Sequence, residues 1–357
     1  YESRSDNRFL DISKRENYLF NSTINGIEES DFIMLVGTNP RYEATILNAR
    51  IRKSYLNNNS KIISLNDLGD LTYPYEYLDG QTQSLKNIFE EDNEISNQIK
   101  EAKKPLIIIG ESLMNSNSSK YLFNKIKKFL IENNKISKDW NSLNILSCDA
   151  STVGNFDLGI VNQEKILLND LKDHKFDIVY LVGQDSLDFD KKDEFVIYQG
   201  SHGDKGAEIA DIILPGSAYT EQDGYFTNLE GKIQKAQKAS YPPGDAKEDW
   251  QIINELAEFM NNRKLFNDKD ELESSMFNYL NLQKEKQDNS NEKNDKSTNV
   301  EFQNENLKIF IKDYYFSNVI AKSSKTMIEC NNSKINLKST VTEGWNGLFK
   351  HHFSRSL

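Results

Sequence analysis

The chain has 357 residues, 37% of them apolar and 28% charged, with a formal net charge of −11. That length holds two domains or one large one with extensions, while its longest apolar runs (Phe32 to Val36, Leu106 to Ile109, Ile212 to Leu214) fall far short of the roughly 18 residues that span a bilayer. An acidic chain without a long Lys/Arg block also argues against nucleic acid or anionic lipid as the main partner, and reads as a soluble protein.

Phe32-Ile-Met-Leu-Val36 is apolar on both faces and predicts a buried parallel strand. Asn39 suits a helix N-cap and Pro40 the first helical position. The helix then runs from Arg41 to about Leu56, with Ala44, Leu47, Ile51 and Tyr55 on one face and Arg41, Arg50, Arg52 and Lys53 largely outside it. Lys61 to Leu65 is the next strand and completes a right-handed βαβ unit. Leu106 to Ile109 is a strand ended by Gly110, and Lys120 to Ile131 a helix with Leu122, Ile126 and Phe129 inward. Asn144 to Leu146 reads as a short strand and Glu164 to Leu171 as a helix. Ile178 to Val182 is a buried strand closed by Gly183, followed by strands at Phe195 to Tyr198 and Asp211 to Leu214.

Such alternation predicts an α/β fold, an open, mostly parallel, doubly wound sheet covered on both sides. After Pro242-Pro243-Gly244, Asp245 and Glu248 form a capping box. The helix it opens presents Trp250, Ile253, Ala257 and Met260 on one face. The expected organisation is an α/β domain over 1–262, in two βα halves of about 1–135 and 136–262. A polar linker follows over 263–306, and a docking arm and tail over 307–357. Gln283 to Asn299 has no apolar residue and predicts a disordered insertion. Phe310, Ile311, Tyr314, Tyr315 and Phe316 suit an arm that docks on its own domain or a neighbour. The apolar, basic tail Trp345 to Phe353 suits a subunit contact.

The two cysteines, Cys148 and Cys330, form no Cys-x-x-Cys pair. They speak against a disulfide framework, a structural zinc site, or an iron–sulfur cluster with its usual four ligands. Both read as small buried hydrophobes in a reducing compartment. Tyr1 in place of Met implies a processed N-terminus or a chain that starts after a preceding part; no secretory signal pattern is visible.

Gly37-Thr38-Asn39-Pro40 joins a strand to a helix, where free N–H groups and the helix dipole favour phosphate. It carries neither GxGxxG nor GxxxxGK, so a plain turn is the better-supported reading, with a nucleotide-binding module as an alternative. Arg41, Arg50 and Arg52 suit either an anion clamp or acidic groups on a partner. His202-Gly203-Asp204 follows a strand, where α/β sheets place their ligands. No nucleophile motif accompanies it, so His202 reads as a loop-ordering hydrogen-bond donor, with Gly203 and Gly206 allowing unusual backbone angles. Glu221, Asp223 and Glu230 surround Tyr225-Phe226-Thr227-Asn228; turn formation accounts for them without acid–base chemistry. His351-His352 has no neighbouring carboxylate or cysteine to make a metal site. No catalytic, cofactor-binding or metal-ligating residue is therefore expected.

Several stretches together carry a resemblance. They are Tyr18 to Asp31, Val36-Gly-Thr-Asn-Pro-Arg-Tyr-Glu43, Asn48 to Ser54, Asp70-Leu-Thr-Tyr73, Glu101 to Pro105, Trp140 with Asn144-Ile-Leu146, and Asp157-Leu-Gly159. Further along come Tyr198 to Gly231, Pro243-Gly244 to Trp250, Ile311 to Tyr315, and Ser324 to Met327 with Cys330. The chain resembles the C-terminal, molybdopterin-oxidoreductase-like half of the largest peripheral-arm subunit of respiratory complex I, the 75-kDa subunit in mitochondria and the G subunit in bacteria. The resemblance implies a non-catalytic structural part of the NADH-oxidising arm, supporting electron transfer from NADH to ubiquinone. It implies the matrix side of the mitochondrial inner membrane, without a direct span.

No cofactor is expected in this chain. The resemblance puts the iron–sulfur clusters on a missing N-terminal half or a partner polypeptide, and FMN on a neighbouring subunit. The implied partners are that cluster-bearing half and the NADH/flavin-binding subunits. Three departures stand out. The cysteine-rich half and the start of the molybdopterin-like region are absent, which implies a split subunit or a late start. No barrel domain follows Val300. Lys232 stands where related enzymes often have Arg after Glu-Gly. The alternative is a fragment of a catalytic molybdopterin oxidoreductase such as a formate dehydrogenase.

Overall fold

The computed structural model describes residues 11–160, 167–184, 187, 190–203, 205–289, 301–309, 315–316 and 318–333. They form two compact units, which divide at Val153 and Gly154. The first unit also takes Leu229–Gly231 and, of the described residues beyond 289, 301–309, 315–316 and 318–333.

In the first unit, β1 (Phe32–Val36) is the strand its pattern predicts and is buried along its length. Asn39 caps α1 (Pro40–Glu43), its side chain accepting from Arg41 N, with Pro40 in the first turn. The helix expected as one piece is two. Ala44 leaves helical geometry at φ −151° and ψ 70°, and α2 runs over Thr45–Asn58. The α1 turn is held separately, because Glu43 reaches back to Asn39 N and Arg41 reaches across to Asp70. On α2, Leu47 and Ile51 face inward as expected, joined by Asn48 and Ser54. These two polar residues are tied to backbone carbonyls, Asn48 to Leu71 O at 3.1 Å and Ser54 to Ser30 O at 2.9 Å. That is why they tolerate burial.

β2 (Lys61–Ser64), β3 (Glu76–Tyr77), α3 (Thr82–Glu90), α4 (Glu94–Glu101), β4 (Pro105–Gly110), α5 (Glu111–Met114), α6 (Ser119–Glu132) and β5 (Leu143–Leu146) complete this unit's sheet and its cover. The strands are all parallel, in the order β3-β2-β1-β4-β5. Alternation sends Phe32, Met34, Val36, Ile107 and Ile109 to one face, against α3 and α6. It sends Ile33, Leu35, Leu106 and Ile108 to the other, against Leu47 and Ile51 of α2. The sheet is therefore doubly wound, and the division expected near residue 135 moves to 153 because β5 pairs with β4.

Residues 301–309 also belong here, although 263–306 reads as linker. Leu307 is buried among Leu85, Ile88 and Leu122, and Phe302 lies 5.3 Å from the ring of Tyr121 with Lys86 Nζ 4.6 Å from its own ring. Packing on this unit is thus present from Phe302, within the stretch expected to be linker. α12 (Val319–Ser323) and a helix over 325–333 follow. Tyr315 and Phe316 are half-buried, whereas Phe310, Ile311, Tyr314 and Trp345 to Phe353 lie outside the described residues.

α7 (Thr152–Asp157) runs across the division, and the second unit goes on with α8 (Leu167–Lys172), β6 (Ile178–Val182), β7 (Phe195–Gly200), α9 (Lys205–Glu208) and β8 (Ile212–Pro215). The predicted helix from Glu164 is described only from Leu167. β6, β7 and β8 form a separate parallel sheet in that order, so the predicted single sheet is two. A hairpin of β9 (Gly224–Thr227) and β10 (Ile233–Ala236) follows.

α10 (Asp249–Asn261) is capped by Glu248 with Gln251, not by Asp245 with Glu248. Its buried residues are Ile252 and Asn254, and Ile253 and Met260 of the expected face are exposed. α11 (Lys269–Asn289) continues through the first seven residues of the expected disordered insertion, Gln283–Asn289. Gln, Lys and Glu there are good helix formers even without apolar neighbours. The rest of the insertion lies outside the described residues. No helix among the described residues is long and apolar enough to cross a membrane.

Candidate functional site

Open α/β sheets bind ligands outside the carboxyl ends of their strands, where the strand order reverses. In the first unit that point lies between β1 and β4, where Gly37-Thr38-Asn39-Pro40 faces Gly110 and Glu111. The chain fills this crevice itself. Gly37 has φ +66°, and a Cβ there would sit 2.5 Å from Leu113 N. A side chain on Gly110 would overlap the Gly37 carbonyl and Thr38 Cβ. Ser112 N closes the contact, donating to Gly37 O at 3.2 Å.

Glu43 turns back from α1 into the same loop. Its Oε2 accepts the Asn39 N–H at 3.0 Å and the Thr38 hydroxyl. A carboxylate thus takes the donors that would otherwise meet a phosphate oxygen. Burial outweighs both hydrogen bonds and, with the charge of Glu111, pushes Glu43 up to about 7. Glu111 in turn accepts the Cys148 N–H at 2.9 Å. An acid in the first turn after Asn-Pro was the available sign of Glu43; nothing local points to Glu111.

The basic residues beside this loop are matched within their own unit. Arg41 pairs with Asp70 at 2.8 Å, which holds the Asp70 carboxyl below its usual range. Arg50 pairs with Glu28 at 2.5 Å, joined by Lys53 at 3.3 Å, and Arg52 Nε donates to Thr72 O at 3.1 Å. Arg41, Arg50 and Arg52, considered for an anion clamp, thus each meet a different group of their own unit.

His202 orders its loop, through its ring with the Ser201 hydroxyl at 3.0 Å and through its carbonyl, which accepts from Tyr198. Asp204 lies outside the described residues, as do His351 and His352. Gly203 and Gly206 are needed for space rather than angle, since neither has positive φ. A Cβ on Gly206 would lie 2.7 Å from Gln184 O, and one on Gly203 would lie 2.8 Å from Ala207 Cβ.

Glu221 does serve a turn, accepting from Ala218 N at 2.9 Å, whereas Asp223 reaches 15 positions along the chain to accept from Lys238 N at 2.8 Å. Glu230 does not join them. It belongs to the first unit, where it accepts the Ile24 N–H at 2.7 Å. Beside it Leu229 O accepts from Phe20 N, and Gly231 O from Arg15 Nη2. Lys232 N and Asn228 close the base of this turn at 2.9 Å. The cysteines depart from the buried pair expected: Cys148 is half-buried and Cys330 exposed. Among the described residues, no three His, Cys, Asp or Glu side chains converge in a way that could hold a metal ion.

Residues 1–259 match the family model described as Molybdopterin oxidoreductase, and residues 271–330 match that for the C-terminal part of the NADH-ubiquinone oxidoreductase G subunit. The chain is 38% identical over 330 residues to the mitochondrial NADH-ubiquinone oxidoreductase 78 kDa subunit of Candida albicans, covering 88% of this chain and 45% of that protein. It is 35% identical to the NADH-ubiquinone oxidoreductase 75 kDa subunit of Reclinomonas americana, covering 92% and 48%. Against the NADH-quinone oxidoreductase G subunit of Rickettsia bellii the identity is 37%, covering 92% and 48%. The chain spans about half the length of these relatives. It belongs to the molybdopterin oxidoreductase family, and its homologues are the 75/78 kDa and G subunits of mitochondrial and bacterial NADH-ubiquinone and NADH-quinone oxidoreductases.

Proposed function

We propose that the chain is a non-catalytic structural part of the G subunit in the peripheral, NADH-oxidising arm of respiratory complex I, supporting electron transfer from NADH to ubiquinone. The observation that carries this reading is the filled crevice between β1 and β4. Leu113 stands against Gly37, and Glu43 takes the loop donors, so the residues present do not fit the phosphate of a pterin cofactor or of a nucleotide there. Two parallel sheets make a stiff frame, which suits a role in keeping cofactors on neighbouring polypeptides at fixed separations.

On this reading the iron–sulfur clusters sit on the N-terminal half of the subunit, in a preceding part of the chain or on a separate polypeptide. FMN sits on a neighbouring subunit, and the arm faces the mitochondrial matrix. The names and half-length coverage of the relatives support it. Purifying the assembly that contains this chain tests it. The expected result is co-purification with NADH- and flavin-binding subunits, and iron without molybdenum or tungsten. Stoichiometric molybdenum would favour a catalytic fragment instead, and absence of every complex I subunit would sink the reading. NADH and ATP are expected to show no measurable binding to the free chain by equilibrium dialysis.

A further inference from the structure

Among the described residues, the three-stranded sheet of the second unit is covered on one face over β6 and β7, while β8 is open on both, with Ile213 on the covered face 54% exposed. Val179, Leu181, Val196 and Tyr198 form its core with Leu171, and Ala207 and Ile209 pack against them. Side chains alternate along a strand. The register Ile178↔Phe195 and Ile197↔Ile212 therefore puts Ile178, Val182, Phe195 and Ile212 together on the opposite face. These four are 64, 48, 43 and 44% exposed. At the carboxyl end of that face Gln199 is buried, its Nε2 donating to Asp249 Oδ1 at 2.7 Å and its Oε1 accepting from Tyr180. The first turn of α10 thus closes one end; among the described residues Tyr180, Ile197 and Leu214 in the middle of the face are half-buried, and Ile178, Val182, Phe195 and Ile212 leave its rim open.

Parallel sheets occur with both faces covered, since crossovers lay helices on them. A contiguous apolar face left open marks an interaction surface. Its residues, with Tyr180, Ile197 and Leu214, carry no ionised side chain, so a charged partner surface would be desolvated there without a counter-charge. A second copy would stack sheet on sheet, the arrangement of antiparallel sandwiches rather than parallel sheets. More than half the length of the relatives has no counterpart in this chain. Resting on the proposed role as part of the G subunit, we infer that the open face of β6, β7 and β8 seats an apolar helix stripe from the cluster-bearing N-terminal half of the subunit.

The test pairs Ile178→Lys with Phe195→Glu, opposite-charge neighbours across β6 and β7, and uses Leu56→Lys, an exposed site in the first unit, as control. The free chain is expected to melt as wild type does, while recovery of the double variant in the assembled complex falls about tenfold, the loss expected when interface anchors go. The Leu56→Lys chain is expected to assemble normally. A photo-crosslinker at Val182→Cys should capture the polypeptide carrying the cluster-binding cysteine motifs. Normal assembly of the double variant, early melting of the free variant chain, or a crosslink to a second copy would each overturn the inference. If the wild-type chain joins no complex I subunit, the proposed function itself fails, whatever the variants do.

Discussion

Arg15 lies directly over Gly231. Its Nη2 donates to the Gly231 carbonyl at 2.8 Å, and a Cβ on that glycine would meet both terminal guanidinium nitrogens at 2.7 Å. Gly231 also has φ +80°, a conformation that L side chains rarely adopt. The Glu-Gly turn of the motif stretch is therefore a pin in the first unit, holding residues 15–24 in place.

Gly231→Ala should cost about 1–3 kcal/mol, through backbone strain and displacement of Arg15. Arg15→Ala should cost less, about 1 kcal/mol for the lost hydrogen bond. Denaturant midpoints of the two variants check the order; equal losses would mean that strain at Gly231 is unimportant.

Glu43 gives a pH dependence with a definite sign. Its pKa is raised on folding from an ordinary 4.5 to about 7. Below 4.5 the carboxyl is protonated in both states and costs nothing. Between 4.5 and 7 the native state binds more protons, so stability falls as pH rises, with the full penalty above 7. Glu43→Gln removes that penalty, and its advantage over wild type should grow by about 3 kcal/mol between pH 4 and pH 8. Urea unfolding at the two pH values measures it, and a flat difference would contradict the burial of this carboxyl.

Glu194 works in the opposite direction. Backbone N–H groups, Lys192 foremost, and then His174 Nδ1 at 2.6 Å hold it down at about 2. Its contribution is complete above the usual carboxylate range and is lost as pH falls from about 4.5 toward 2. Glu194→Gln should be less stable than wild type at pH 6 and indistinguishable from it near pH 2. His174→Ala should lose less, because the backbone donors remain. Circular dichroism melts across that range provide the comparison.

Leu307→Ala should destabilise the first unit by about 2–5 kcal/mol, the range for a buried leucine replaced by alanine. Limited proteolysis should then cut first at 301–309. An unchanged melting temperature would show that this segment is dispensable.

The first sheet is plain in the sequence because β1 and β4 are apolar on both faces, a pattern only a doubly covered parallel strand explains. β6 and β8 share that apolar character, yet several of their residues are exposed, and composition alone does not distinguish such strands from buried ones. α3 and α4 are harder to see: each is short and opens with few of the usual signals, although Asn93 and Ser96 do form a reciprocal cap on α4. The face of α10 is misplaced in the sequence reading because periodicity tells which residues share a face and not which face packs; Asn254 is held inward by hydrogen bonds with the backbone of Leu265 and Phe266. In the candidate site, Gly37 and Asn39 are legible as a turn. The contacts of Glu230 with Ile24 and of Glu111 with Cys148 join residues far apart in sequence, and no local pattern encodes them.

The return of residues 301–309 to the first unit has a consequence for how this chain is made. Leu307 O accepts from Asn66, 241 positions earlier, and Thr82 meets Gln303 and Glu305 across a similar span. On the ribosome, β1 to β5 emerge long before the strip that seals Leu85, Ile88 and Leu122, so that part of the core must wait uncovered while residues 154–289 are synthesised. Such long-range closure slows folding and extends the time during which apolar surface is open to wrong partners. The order of completion is thus inverted between the two sheets: the one translated earlier is the one sealed later.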